Sequence, residues 1–183
     1  MNGAIHFALR FLLEIAGFLF MARFLLQACR VDFYNPISQG IVKVTDPVLK
    51  PLRSVLPGYR NLDLASLAAC WLTAAVMIYA LALIAGHYPG GVLAIFGGSL
   101  LHVLLRMLDL FWWCILIVII ASFIAPGSPH PALGLLQQIT EPLLRPARRV
   151  IPPLGGLDFS PILVILALGV VQRILPPLFG AFF

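Results

Sequence analysis

Along this chain, apolar residues come in four long blocks, separated by shorter stretches in which polar residues recur at helical spacing. The blocks cover about residues 4–29, 64–86, 99–124 and 160–180, and each is long enough to carry a helix across a bilayer core. Between the first two blocks the pattern changes. From residue 35 to 57, Ile37, Ile41, Val44, Val48, Leu52 and Val55 recur every three or four positions, with Gln39, Lys43, Asp46, Lys50 and Arg53 opposite them. A two-faced segment of this kind predicts an amphipathic helix lying in the headgroup layer. Asp46-Pro47 reads as an N-cap followed by a first-turn proline. The segment is therefore expected to be two short helices meeting at Thr45-Asp46, the second bent at Pro51. Pro57 then stops it, Asn61 suits a tight turn, and Asp63 stands where the next helix needs an N-cap. The stretch 92–98 fits either an extension of the third block or a short interfacial piece, because Gly97-Gly98 weakens a helix.

The pattern occurs twice. TDPVLKPLRSVLPGYRNLD from Thr45 and TEPLLRPARRVIPPLGGLD from Thr140 align without a gap, ninety-five residues apart. Thr45/Thr140, Pro47/Pro142, Leu49/Leu144, Pro51/Pro146, Arg53/Arg148, Val55/Val150, Pro57/Pro152, Leu62/Leu157 and Asp63/Asp158 are identical. Asp46/Glu141 and Lys50/Arg145 match in kind. In the second copy Leu136, Ile139, Leu143 and Val150 form the apolar side, and Glu141, Arg145, Arg148 and Arg149 the polar one. The chain is two copies of one unit, 1–90 and 91–183, each a span, a motif-bearing connection and a span. Two spans per unit give both units the same orientation, a parallel repeat rather than the inverted repeat of many transporters.

Composition agrees with a membrane protein. Of 183 residues, 61% are hydrophobic and only 10% charged, against about a quarter charged in soluble domains. No stretch is left for a further soluble domain. The opening block lacks a basic start and a small-residue cleavage site, so it is expected to remain as the first span. Arg30, Lys43, Lys50, Arg53 and Arg60 lie in the first connection and Arg145, Arg148 and Arg149 in the third, whereas the middle turn GHYPGG carries no Lys or Arg. The positive-inside rule then places both motif connections in the cytoplasm, and both termini and the middle turn outside. The expected fold class is all-α: four transmembrane helices as two parallel two-helix repeats, each with a cytoplasmic amphipathic connection.

Charges also occur inside the spans. His6, Arg10 and Glu14 share one helical face, as do His102, Arg106 and Asp109. Glu14 and Asp109 are repeat equivalents, while Arg106 is offset by one from Arg10. A charge at mid-span costs about 2.5–3.5 kcal/mol on insertion scales, so these residues face one another, the bundle interior or water. Either Glu14 and Asp109 line a polar path for a cation or proton, or each acid neutralises its own arginine and pins helices together. Arg23 and Arg173 need a partner or an interface. Four spans so rich in Leu, Ile and Phe pack solid, so a channel requires a homo-oligomer. At the surface, Lys43, Lys50, Arg53, Arg145, Arg148 and Arg149 either hold anionic lipid phosphates or another anionic partner, or only fix topology by snorkelling. His6 and His102 suit a haem ligand pair only weakly, so no cofactor is expected. Cys29, Cys70 and Cys114 lack disulfide or zinc spacing and read as packing residues. No catalytic constellation is present, and the net charge of +5 is explained by topology, which argues against direct nucleic-acid binding.

The motif residues Asn35-Pro36, Thr45-Asp46-Pro47, Pro51, Arg53, Pro57 and Asp63, with Thr140-Glu141-Pro142, Pro146, Arg148, Pro152 and Asp158, resemble the signature of the YggT (YlmG) family of small bacterial and plastid membrane proteins. The resemblance covers both halves and almost the whole chain, and the two-copy form resembles the proteobacterial members. The second copy departs from the pattern with His130-Pro131 for Asn-Pro and Glu141 for Asp. What the resemblance implies is a non-enzymatic role. Relatives are linked to potassium uptake and osmotic-stress resistance, to cell division, or to assembly of a membrane complex such as a b-type cytochrome. A membrane-protein partner is therefore expected alongside the lipid bilayer, and the resemblance assigns no catalytic residue.

Overall fold

The structure is a computed structural model describing residues 2–88, 90–125, 127, 129–150 and 158–182. Six helices make it up: α1 (Asn2–Ala28), α2 (Pro36–Val55), α3 (Leu64–Ile84), α4 (Val92–Ile124), α5 (Pro131–Val150) and α6 (Ser160–Phe182). Helices α1, α3, α4 and α6 are long and apolar enough to cross a membrane. Only 11% to 22% of the most apolar stretch of each is buried. Their remaining Leu, Ile and Phe side chains form outer faces far more apolar than water tolerates. The stretch 92–98 belongs to α4, which at 33 residues is about 50 Å long and spans a bilayer only with tilt or overhang.

The connections repeat more closely than the spans. Helices α2 and α5 are each 20 residues long, and both their ends are ninety-five residues apart. The expectation of two short helices is wrong: α2 is one helix running through Pro47 and Pro51, and α5 runs through Pro142 and Pro146. The carbonyls that lose a partner belong to Lys43 and Pro47, and in α5 to Gln138 and Pro142, four residues before each proline. All four residues are exposed, so water or headgroups reach those oxygens. On the inner side the Thr45 hydroxyl donates to the Ile41 carbonyl at 2.7 Å, and Thr140 donates to Leu136 at 2.9 Å. The actual N-cap is Asn35, whose side chain accepts from the Ile37 amide at 2.9 Å, with Pro36 opening the helix. Helix α2 closes at Leu56 (φ −119°, ψ 83°), which leaves the helical region that Pro57 disfavours for the residue before it.

The turn after Pro57 differs from expectation. Tyr59 and Leu62 exchange both backbone hydrogen bonds, and the left-handed residue between them is Arg60 (φ 53°), not Asn61. Arg60 stacks its guanidinium over the Tyr59 ring at 5.5 Å, while the Asn61 carboxamide oxygen accepts from the Arg30 guanidinium. Both side chains hold the turn. Arg30 is itself left-handed and ends α1: its amide donates to the Gln27 carbonyl and the Val31 amide to Leu26, the bond pair of a Schellman cap. Pro152 and Gly156, which stand in the second unit where the first has Pro57 and Asn61, lie outside the described residues.

Helix α3 is wedged between α1 and α4, α4 packs on α6, α2 underlies α1 and α3, and α5 underlies α4 and α6. No comparable packing joins α1 to α6 among the described residues. Helices α1 and α3 pack together, and α3 gives the buried cluster the small residues Ala65, Ala69, Cys70 and Ala74 where α1 gives Met21, Phe24 and Leu25, the kind of surface that lets helices approach closely in lipid. Helix α2 has three sides rather than two. Ser38, Thr45 and Leu49 are buried toward the spans. Ile37, Val44, Val48 and Val55 stay exposed about a quarter turn away, on the side left to acyl chains, and Lys43 and Lys50 point to solvent.

Candidate functional site

Two charge clusters result, one in the spans and one at the motif face. In the spans, Gly17 on α1 and Arg106 on α4 decide the arrangement. A Cβ at Gly17 would stand 1.6 Å from Nη1 of Arg106, so the guanidinium occupies the space that glycine leaves. From there Nη2 donates to Glu14 and lies 2.9 Å from His102 Nε2, which is 3.5 Å from Glu14 Oε1. Nη1 also lies 3.9 Å from the Cys70 sulfur. Arg106 is buried and Glu14 partly exposed.

Of the two readings, the one that pairs each acid with its own unit's arginine is not what forms. Glu14 pairs with Arg106 of the other unit, while Asp109 accepts from Gln172 of α6 at 2.9 Å. Arg10 makes no ion pair among the described residues and lines the same open groove as Glu14, His102, Arg106 and Asp109. The groove measures about 650 Å³. Its rim of Phe11, Ile15, Phe18 and Trp113 is exposed on the outside of the bundle. His6 does not line it, so the two span histidines share no site. In the second unit Trp112 stands where the first has Gly17, leaving no matching space for a guanidinium.

At the motif face the acids and bases of the repeat find one another. Arg53 donates to Asp63 at 2.6 Å and lies 3.6 Å from Asp46. Arg148 donates to Asp158 at 2.9 Å and to Glu141 at 2.9 Å. The same acid–arginine–acid triad therefore ties each interfacial helix to the start of the next span. Burial pushes the Asp63 carboxyl up, but the Arg53 guanidinium and the Ser66 hydroxyl and amide outweigh it and hold the group below the ordinary carboxylate range. Asp158 is lowered in the same way by Ser160 and Arg148. The hydrogen bonds to these acids raise both arginines.

Asp63 caps α3, accepting from the Ser66 amide and hydroxyl at 3.4 and 2.7 Å. Asp158 does not cap α6 in that way. It accepts from the amide and hydroxyl of Ser160 at 2.9 and 2.6 Å, because Pro161 stands where the first unit has Ser66 and has no N–H to give.

Unit one extends its triad inward. Arg23, buried in α1, reaches Asp46 at 3.9 Å and lies 5.4 Å from the Phe33 ring, so Arg23, Asp46, Arg53 and Asp63 join α1, α2 and α3. The second unit has Val118 in place of Arg23. Lys50 and Arg145 lie 3.8 and 3.5 Å from Asp46 and Glu141 one turn away. Lys43, Arg149 and Arg173 are exposed and make no ion pair among the described residues. Sequence reading did not find the contacts between units at this face: Asn35 Nδ2 donates to the Pro131 carbonyl at 2.7 Å and the Asp32 amide to Gln138 at 2.8 Å. Asn35 caps one interfacial helix and holds the first residue of the other.

The groove can hold a charged or polar group against Arg10 at the middle of two spans. Among the described residues no cluster of His, Cys, Asp and Glu suits a metal ion, and the cysteines are unpaired.

The model of the family described as CCB3/YggT matches residues 2–84 and again 98–179. An uncharacterised protein of Pseudomonas aeruginosa is 39% identical over 175 residues, covering 95% of this chain and 89% of that protein. The protein named YggT of Escherichia coli K12 is 36% identical over 166 residues, covering 91% and 86%. One from Vibrio alginolyticus is 33% identical over 181 residues, covering 97% and 96%. None of these names carries an enzymatic activity, and no solved structure matches. With the family model matched once on each unit, the chain belongs to the CCB3/YggT family.

Proposed function

We propose that this chain is a non-enzymatic protein of the bacterial inner membrane that supports potassium homeostasis under osmotic stress, acting on another membrane protein rather than conducting ions itself. The observation that supports this reading is the groove between α1 and α4. It gathers Arg10, Glu14, His102, Arg106 and Asp109, yet its rim opens on the outside of the bundle. A cation entering it has to displace a guanidinium from Glu14. An acidic or polar side chain on a partner's spanning helix instead meets Arg10, a charge with no ion pair among the described residues and a cost in lipid that such contact offsets. The distribution of bases supports an orientation with α2 and α5 on the cytoplasmic surface and both termini in the periplasm.

The test uses cells lacking the protein, complemented with wild type or Arg106→Gln and shifted to high osmolarity. Potassium uptake restored by the wild type and not by an equally inserted variant is the expected result; full restoration by the variant overturns the role of the groove. Potassium flux through the pure protein in liposomes, lost on combining Glu14→Gln with Asp109→Asn, replaces this reading with direct permeation.

A second reading is a scaffold for division or for assembly of a membrane complex, such as a b-type cytochrome. It is favoured by the exposed bases beside the triads: Lys43, Lys50, Arg145 and Arg149 face outward on α2 and α5, toward anionic headgroups or an acidic partner. Charge reversal at these four positions abolishes partner capture on this reading, and undisturbed capture counts against it.

A further inference from the structure

We propose that the uncovered faces of α1 and α6 dock on a second copy of this chain, α6 of each protomer lying on α1 of its partner. Helix α3 closes the first unit and packs on α4, which opens the second. Leu67 and Trp71 of α3 meet Leu100 and Val103 of α4 around one apolar cleft, and the Trp71 and Phe96 rings meet edge to face at 5.5 Å. Ninety-five residues later, Leu67 and Trp71 correspond to Ile162 and Leu166 of α6; ninety-five earlier, Leu100 and Val103 correspond to Ile5 and Ala8 of α1. Ile162, Leu166 and Ile5 are 59%, 64% and 54% exposed, and Ala8 is exposed too. Both halves of an interface that the chain builds once inside itself are present a second time at its two ends, unmated. Arg173, with no ion pair among the described residues, lies on the same face of α6, where Ile78 lies on α3.

The motif face has the same one-way character. The Cys29 thiol donates to the Ile139 carbonyl at 3.6 Å and Asp32 binds Gln138, so the segment after α1 covers α5 and Ile139 is buried. The repeat equivalents of that contact are Ile124 and Val44, 78% and 61% exposed. A two-fold relation between the units would reciprocate these contacts. They are not reciprocated, so the contact between units is heterologous and leaves one surface of each kind unused. Both units cross the membrane in the same direction, so a second copy related by a two-fold axis along the membrane normal mates both surfaces at once. Lipid can cover any apolar face; what points to protein here is that protein covers the same faces in the other unit.

The test is disulfide trapping between two differently tagged forms in one membrane, both carrying Cys29→Ser, one with Ile5→Cys and the other with Leu166→Cys. A product bearing both tags is expected, with Ala8→Cys and Ile162→Cys as a second pair, and none from Phe7→Cys with Tyr79→Cys on exposed faces outside the interface. A chain carrying both Ile5→Cys and Leu166→Cys gives a covalent dimer of doubled mass. Absence of mixed-tag product, or equal trapping at Phe7 and Tyr79, overturns the proposal in favour of lipid; a ladder of higher species overturns the closed two-copy arrangement. Light scattering of the unmodified protein in detergent supplies a check without cysteines, a monomer at every concentration again overturning it.

Discussion

Glu14 and Arg106, on equivalent helices of the two units, form one ion pair, so the charge contact at the middle of the spans crosses the repeat boundary. Gly17 permits it, since the guanidinium fills the place of the missing side chain. Gly17→Ala is expected to push Arg106 off Glu14 and to cost about as much as Arg106→Gln, on the order of 2 kcal/mol for a lost charged hydrogen bond. Because both changes break the same contact, the double variant costs little more than either alone. Thermal unfolding of the four proteins in detergent measures this, and additive losses refute the dependence on Gly17.

The two triads share a design but not a depth. Asp63 is 2% exposed, whereas 34% of the Asp158 side chain is. Stranding a buried carboxylate costs about 3–5 kcal/mol, and breaking an exposed pair about 0.2–1 kcal/mol. Arg53→Ala is therefore expected to destabilise the protein several times more than Arg148→Ala. Equal losses in unfolding midpoint, or the reverse order, contradict this account.

Much of this architecture is legible in the chain, and the parts that are not have a common cause. Four spans and two amphipathic connections follow from periodicity, and duplication at a spacing of ninety-five follows from the aligned motif. Helix α2 was misread at Asp46-Pro47 because an acid before a proline is a good local cap; it forms one helix because exposed carbonyls tolerate the loss and buried Thr45 and Leu49 anchor its inner side. The Arg53–Asp63 pair left a signal, since both members recur in the second copy with the same spacing of ten. Glu14–Arg106 and Asn35–Pro131 left none. They join residues that are not repeat equivalents across a contact between units, and a repeat shows which residues correspond without showing how the copies pack.

Acid is expected to separate the roles of Arg53 and burial at Asp63. The folded-state pKa of this group lies below 3.8, so its contribution to stability is fully present above that value and is lost as pH falls through the lowered one. Removing Arg53 leaves burial, which pushes the carboxyl up, opposed by Ser66 and by the charge of Arg23. Arg53→Ala, already destabilised at neutral pH, is then expected to lose less further stability than wild type on acidification, because protonation relieves its stranded carboxylate. Unfolding midpoints followed downward from neutral pH check this, and parallel curves for the two proteins argue against it.

Orientation is the remaining expectation that a few substitutions decide. Lys50 and Arg145 have side chains 74% and 69% exposed on the motif face, and Tyr88 is exposed in the turn between the units. With Cys29→Ser to remove the half-buried thiol, single cysteines at these three positions report which side each occupies. A membrane-impermeant maleimide is expected to label Tyr88→Cys in right-side-out vesicles, and Lys50→Cys and Arg145→Cys only after the vesicles are opened or inverted. Each unit contains two spans, so Lys50 and Arg145 must label together whichever way the chain inserts. Labelling of both from outside reverses the orientation drawn from the distribution of bases, whereas labelling from opposite sides breaks the parallel repeat itself and with it the pairing of Glu14 with Arg106.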